Sequence, residues 1–95
     1  MMSRVHIIVS GRVQGVAFRF FAQHWAVSLS LTGWVRNLHD RRVETVAEGE
    51  KEKLEEYVAR LHEGPSGASV DDMDCFWEDY RAEFEDFRIE FTAFG

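Results

Sequence analysis

The sequence predicts an α+β protein two layers thick, with two helices on one face of an antiparallel five-stranded sheet. Three observations lead there. Five segments alternate apolar and polar residues with the period of a strand, and two carry apolar residues every three or four positions. These segments run strand, helix, strand, strand, helix, strand, strand. With 95 residues and 45% hydrophobic content, the chain is enough for one core, so residues 1–95 are read as a single domain.

Residues 4–10 form the first strand, with Val5, Ile7 and Val9 on one face and His6 and Ser10 on the other. A short loop follows, with glycine at both ends, Gly11 and Gly15. The period then changes: Phe18, Phe21, Trp25 and Leu29, flanked by Ala22 and Ala26, make one helical stripe over residues 18–30. Residues 32–38 are a strand with Trp34 and Val35 on opposite faces, and His39–Asp40–Arg41 a turn. A type I′ hairpin needs positive φ, which suits Arg41 poorly, so a longer or differently shaped loop is expected there. Residues 42–48, with Val43, Val46 and Ala47, form the third strand.

Leu54, Tyr57, Val58 and Leu61 mark a second helix over 50–62. Glu50 and Glu52 suit the positive end of its dipole, and Gly64–Pro65 stop it. After a loop at 66–69, residues 70–80 alternate with Met73, Cys75 and Trp77 on the apolar face. Residues 81–86 are an acidic loop, and Phe87, Ile89 and Phe91 define a fifth strand at 87–91. The simplest topology for this order is the split βαβ, ferredoxin-like one.

The formal net charge of −6 disfavours a generic nucleic-acid binder, which needs a basic face to displace counterions. Residues 88–94 also lack the glycines of an RNA-recognition motif. No apolar run approaches the length of a membrane span, and a lone cysteine, Cys75, suits a reducing cytoplasm. With this charge, any anion site must be local, built from backbone N–H groups and one or two cations.

One segment has that character. Gly11-Arg12-Val13-Gln14-Gly15-Val16-Ala17-Phe18-Arg19 joins a strand to a helix whose first N–H groups have no partner within the helix. Glycines also mark ordinary turns, so the loop alone does not decide. Arg19 adds weight: a cation in the first turn opposes the helix dipole, either as a solvated charge or for a functional cause. Asn37 enters through geometry. A right-handed βαβ unit makes the first two strands parallel. Ten helical residues descend about 15 Å, and the five strand steps from Thr32 to Asn37 return roughly 17 Å. Asn37 therefore ends near the loop and Arg19, although an asparagine there also suits the start of the turn at 38–41.

The loop motif followed by Gly33-Trp34-Val35-Arg36-Asn37 resembles the signature pair of the acylphosphatase family. Glu48–Gly49 before the second helix, Gly64–Pro65 after it, and the acidic, aromatic end resemble that family too. The resemblance implies hydrolysis of acyl phosphates to carboxylate and inorganic phosphate, with Arg19 and Asn37 as the catalytic pair. It places the phosphate loop on Gln14, Gly15, Val16, Ala17, Phe18 and Arg19, acting chiefly through main-chain N–H groups. In this reading Arg19 holds the phosphoryl oxygens with its planar fork, and Asn37 positions the attacking water.

The expected partners are a small acyl phosphate and inorganic phosphate as product inhibitor. No nucleic acid or membrane is expected, and the chain should act as a cytoplasmic monomer. Neither a metal nor an organic cofactor is expected: His6, His24, His39 and His62 lack zinc-site spacing, and Asp71, Asp72 and Asp74 lack the glycine and terminal glutamate of a calcium loop. Cys75 reads as core rather than nucleophile. Ser10 has no histidine placed to activate it.

Overall fold

In the computed structural model, residues 1–91 are described. Residues 92–95, of which 92–94 end the segment compared above with an RNA-recognition motif, lie outside the described residues. Seven elements follow in order: β1 (Met2–Arg12), α1 (Phe18–Ser28), β2 (Thr32–Asn37), β3 (Val43–Glu50), α2 (Lys51–Glu63), β4 (Ser69–Glu78) and β5 (Phe87–Ile89). The sheet order is β4-β1-β3-β2-β5. β1 and β2 both pair antiparallel with β3, so they run parallel to each other with β3 between them. This is the expected split βαβ unit, in the expected α+β class.

The sheet is mixed rather than antiparallel. β5 pairs in parallel with β2, Val35 opposite Ile89. The cause is the connection: residues 79–86 cross the sheet from one edge, β4, to the other, instead of turning back in a hairpin. Carbonyl and N–H groups tie the new edge down, with Gly33 N–H donating to Asp86 and Glu90 N–H to Val35. β5 is shorter than its alternation predicts. It stops at Ile89, and Phe91 is 91% exposed.

The core lies between the sheet and the helices. Val5, Ile7, Val9, Val35, Val43 and Ala47 supply the sheet side, all fully buried. Leu54, Tyr57 and Leu61 come from α2, as its stripe predicts. On α1 the fully buried residues are Phe18, Ala22 and Ala26, and Phe21, Trp25 and Leu29 are only partly covered. The small alanines let the helix sit close to the sheet, and the larger rings flank that contact line. α1 also ends at Ser28, two residues earlier than expected, where the N–H of Leu29 returns to Trp25 and that of Ser30, with φ 59°, to Val27. Tyr57 brings its hydroxyl into this core. Thr45 Oγ1 donates to the Trp34 carbonyl, so the Tyr57 hydroxyl, 2.8 Å away, donates to Thr45. On β4, Met73 and Cys75 pack on the core as expected. Trp77 is 44% exposed, with the Lys51 ammonium over its ring.

The opposite sheet face carries an ion cluster. Arg4 bonds Glu48, Glu78 and Glu83, and the N–H groups of Arg81 and Glu83 donate to the Glu48 carboxylate. Segment 79–86 is thus strapped over that face from below, by a glutamate of a central strand.

Candidate active site

The site begins where β1 leaves the sheet. The β1–β4 register shifts between Ser10 and Gly11, a bulge that bends the strand. Gly11 has φ 123°, and a Cβ there would stand 2.2 Å from the Ser69 carbonyl oxygen, so no other residue fits. Beyond it Gly15 turns left-handed at φ 74°. A Cβ at Gly15 would meet nothing within 4 Å, so conformation rather than space calls for glycine. Ala17 is left-handed too, at φ 59°, without a glycine's relief, at a cost of about 1 kcal/mol.

Ala17 stands at the N-cap of α1 and offers no side-chain cap. The first turn contains no acidic residue. Among the described residues, no acceptor takes the N–H groups of residues 15–20. A row of free donors at the positive end of a helix dipole is a site for an oxyanion.

These donors border a pocket of about 120 Å³ lined by Val13, Gln14, Gly15, Ala17, Phe18, Arg19, Phe20 and Asn37. The residues singled out from the sequence are therefore brought together, with one exception. The side chain of Val16 packs against the core and does not line the pocket. Arg19 is half-buried, and its guanidinium has no ion-pair or hydrogen-bond partner among the described residues. No carboxylate lines the pocket.

Asn37 is the last residue of β2 and shares the helix-side face with Val35. Its Oδ1 is buried and accepts no hydrogen bond, the only such side-chain atom among the described residues. Leaving a buried acceptor unsatisfied costs about 1–3 kcal/mol, a cost a bound donor would remove. Its neighbour Arg36 is drawn to the other face by Glu44, at 2.7 Å. Burial pushes the Glu44 carboxyl up, but His6 and Arg36 outweigh it and hold the group below its ordinary value.

Two features were not found from the sequence. The Gln14 side chain does not reach into solvent: its Nε2 donates to the carbonyls of Leu38 and Arg42, both at 2.9 Å. It ties the loop to the mouth of the β2–β3 hairpin, beside Asn37. No local signal marks this contact, because its acceptors are main-chain atoms some 25 positions away. The second is the hairpin itself. Arg41 N–H donates to Leu38 and Leu38 N–H to Arg42, closing a three-residue loop with Arg41 left-handed at φ 74°. This is a type I turn with a bulge, so positive φ is needed at one residue rather than two.

Cys75 is half-buried, and burial, with Asp74 beside it, pushes its thiol up, away from nucleophilic character. Among the described residues, no three His, Cys, Asp or Glu side chains are grouped to hold a metal ion. Among the described residues, no helix is long and apolar enough to cross a membrane.

The family model described as Acylphosphatase matches residues 5–89. An acylphosphatase of Pelotomaculum thermopropionicum is 44% identical over 94% of this chain and 97% of its own length. One of Syntrophotalea carbinolica is 48% identical over 93% of this chain and 96% of its own. The crystal structure of acylphosphatase from Bacillus subtilis superposes with a TM-score of 0.90 at 38% identity, covering 95% of this chain and 99% of that one. With the loop, helix N-terminus and Asn37 set as described, the chain belongs to the acylphosphatase family, and its reaction is the hydrolysis of acyl phosphates.

Proposed function

We propose that this chain hydrolyses acyl phosphates without a metal or organic cofactor, as a cytoplasmic monomer, using Arg19 and Asn37 as its catalytic pair. The N–H groups of residues 15–19 and the guanidinium of Arg19 hold the phosphoryl oxygens. Arg suits this role because its planar fork donates two parallel hydrogen bonds. Asn37 Oδ1 accepts a hydrogen bond from the attacking water and fixes it in line with the bond to be broken. The water oxygen bonds to phosphorus, the P–O bond to the acyl group breaks, and the electron pair leaves with the carboxylate. Both water protons end on inorganic phosphate. A carboxylate is a good leaving group, so positioning and electrostatic stabilisation are sufficient and no strong base is required.

The observation that carries this reading is that Asn37, whose buried Oδ1 is left without a hydrogen-bond partner, lines the same pocket as the free N–H donors of the loop. An acceptor residue and a set of donors lining one small cavity suit a water and an oxyanion side by side. The test is turnover of acetyl phosphate in the presence of a chelator, with inorganic phosphate added. The expected result is full activity with EDTA and competitive inhibition by phosphate. Activity lost to EDTA and restored by a divalent ion would refute the metal-free mechanism, and noncompetitive inhibition would refute the shared phosphate site.

A further inference from the structure

A second cavity, of about 310 Å³, adjoins the first and is lined by Gly11, Arg12, Val13, Gln14 and Arg41. Val13 and Gln14 line both cavities, so the loop is their common wall. Two arginines from separate segments line this cavity, one at the end of β1 and one at the tip of the β2–β3 hairpin. Neither guanidinium has an ion-pair or hydrogen-bond partner among the described residues. By contrast, the next arginine, Arg42, is neutralised by Asp40 at 2.7 Å. Asp71 lies close to Gly11 but neither lines the cavity nor pairs with either arginine.

On a chain of net charge −6, this is a local reversal of sign. The cavity at the far edge, between Trp34 and Arg88, is lined by Glu83, Glu85, Asp86 and Glu90. Arg41 is also held in a left-handed conformation that glycine would adopt without strain. A residue that breaks a local rule without a structural gain points to a function for its side chain.

We infer that Arg12 and Arg41 form a subsite for a second anionic group on the substrate, a carboxylate or phosphate at the far end of the acyl chain. The inference rests on the reading that the phosphoryl group sits in the neighbouring loop pocket. The acyl group then passes over Val13 and Gln14, and its distal anion lies between the two guanidinium groups. The subsite makes the enzyme selective for acyl phosphates with an anionic tail over those with a short neutral one. Exposed charge pairs are individually weak, so the discrimination is the sum of two modest contacts and falls as salt rises.

The experiment compares kcat/KM for succinyl phosphate, which carries a distal carboxylate, with that for acetyl phosphate. Wild type is set beside Arg12→Gln, Arg41→Gly and the double variant. Arg41→Gly keeps the hairpin, because glycine accepts the observed φ. The expected result is a preference for succinyl phosphate that drops on the order of tenfold in the double variant and shrinks at high salt. Arg41→Lys should keep most of the preference. If wild type shows no preference, or if the double variant keeps it whole while turning over acetyl phosphate, the subsite is refuted and the catalytic reading stands. If wild type turns over neither compound, both readings fall together.

Discussion

Arg4 and Glu48 meet across the β1–β3 pair on the sheet face that the helices leave open, Nη1 to Oε2 at 3.3 Å, with side-chain exposures of 9% and 0%. Around them Arg81 and Glu83 donate their N–H groups to the same carboxylate. This group holds the 79–86 crossing against the sheet, and through it the parallel strand β5.

Removing Glu48 should therefore be costly. Breaking one partner from a buried pair typically costs about 3–5 kcal/mol, because the other charge remains buried. Glu48→Ala also strands two N–H donors. Its urea midpoint should fall steeply, and hydrogen exchange should rise first in β5. A variant that unfolds at the wild-type midpoint would refute this account.

Acidification should act on the same group. Burial pushes the Glu48 carboxyl up, but the Arg81 and Glu83 N–H groups and Arg4 outweigh it, so its folded pKa lies below the ordinary 4.5. Glu44 is depressed likewise by His6 and Arg36. A depressed carboxyl contributes stability that is complete above its unfolded pKa and is lost as pH falls through the folded value. Unfolding free energy should be flat with respect to these two groups above about pH 5.5 and decline below about 4.5. Glu48→Gln should flatten part of that decline.

Arg19 and Asn37 should separate in kinetics. Arg19→Ala should weaken phosphate inhibition and slow turnover together, and Arg19→Lys should restore neither fully. Asn37→Ala should lower kcat on the order of 10²–10³ and leave the phosphate inhibition constant nearly unchanged. Because it deletes an unsatisfied buried acceptor, it should also leave the protein as stable as wild type or more so, by up to about 1 kcal/mol. Wild-type kcat in Asn37→Ala, or loss of phosphate binding in a folded protein, would overturn the assigned roles.

Gln14→Ala should lower kcat/KM without touching the reacting atoms. It frees the loop from the Leu38 and Arg42 carbonyls and so loosens the distance between the N–H donors and Asn37. A drop of roughly tenfold is expected, since small misplacements at a positioned site are costly. Its phosphate inhibition constant should rise as well, which a purely hairpin-local effect would not produce. Gln14→Glu should be worse, because it faces a carboxylate with two carbonyl oxygens.

Much of this site was legible because it depends on local rules. Gly11 and Gly15 mark a turn, the helix period starts at Phe18, and the return distance of β2 carries Asn37 back to the loop. The α1 and α2 stripes were readable for the same reason. What could not be read depends on partners distant in sequence. Nothing in the run 79–86 says that Glu48 will capture its N–H groups, so the parallel direction of β5 was missed. Gln14 offers no pattern at all, since its acceptors are carbonyls that every residue carries. The stripe Phe21, Trp25 and Leu29 misplaced the centre of the α1 contact by favouring large residues over the alanines that allow close approach.

The acidic run at Asp71, Asp72 and Asp74 has its explanation in the sheet order. β4 is an edge strand, and its unpaired side is a template on which another chain can add a strand. All three aspartates are exposed. Two copies approaching edge to edge would bring matching carboxylates together along the new pairing line, and like charges opposed across a strand pair are destabilising. The negative charge that gives the substrate no long-range attraction thus sets an electrostatic cost on this border, against any ladder that would join two copies edge to edge along β4.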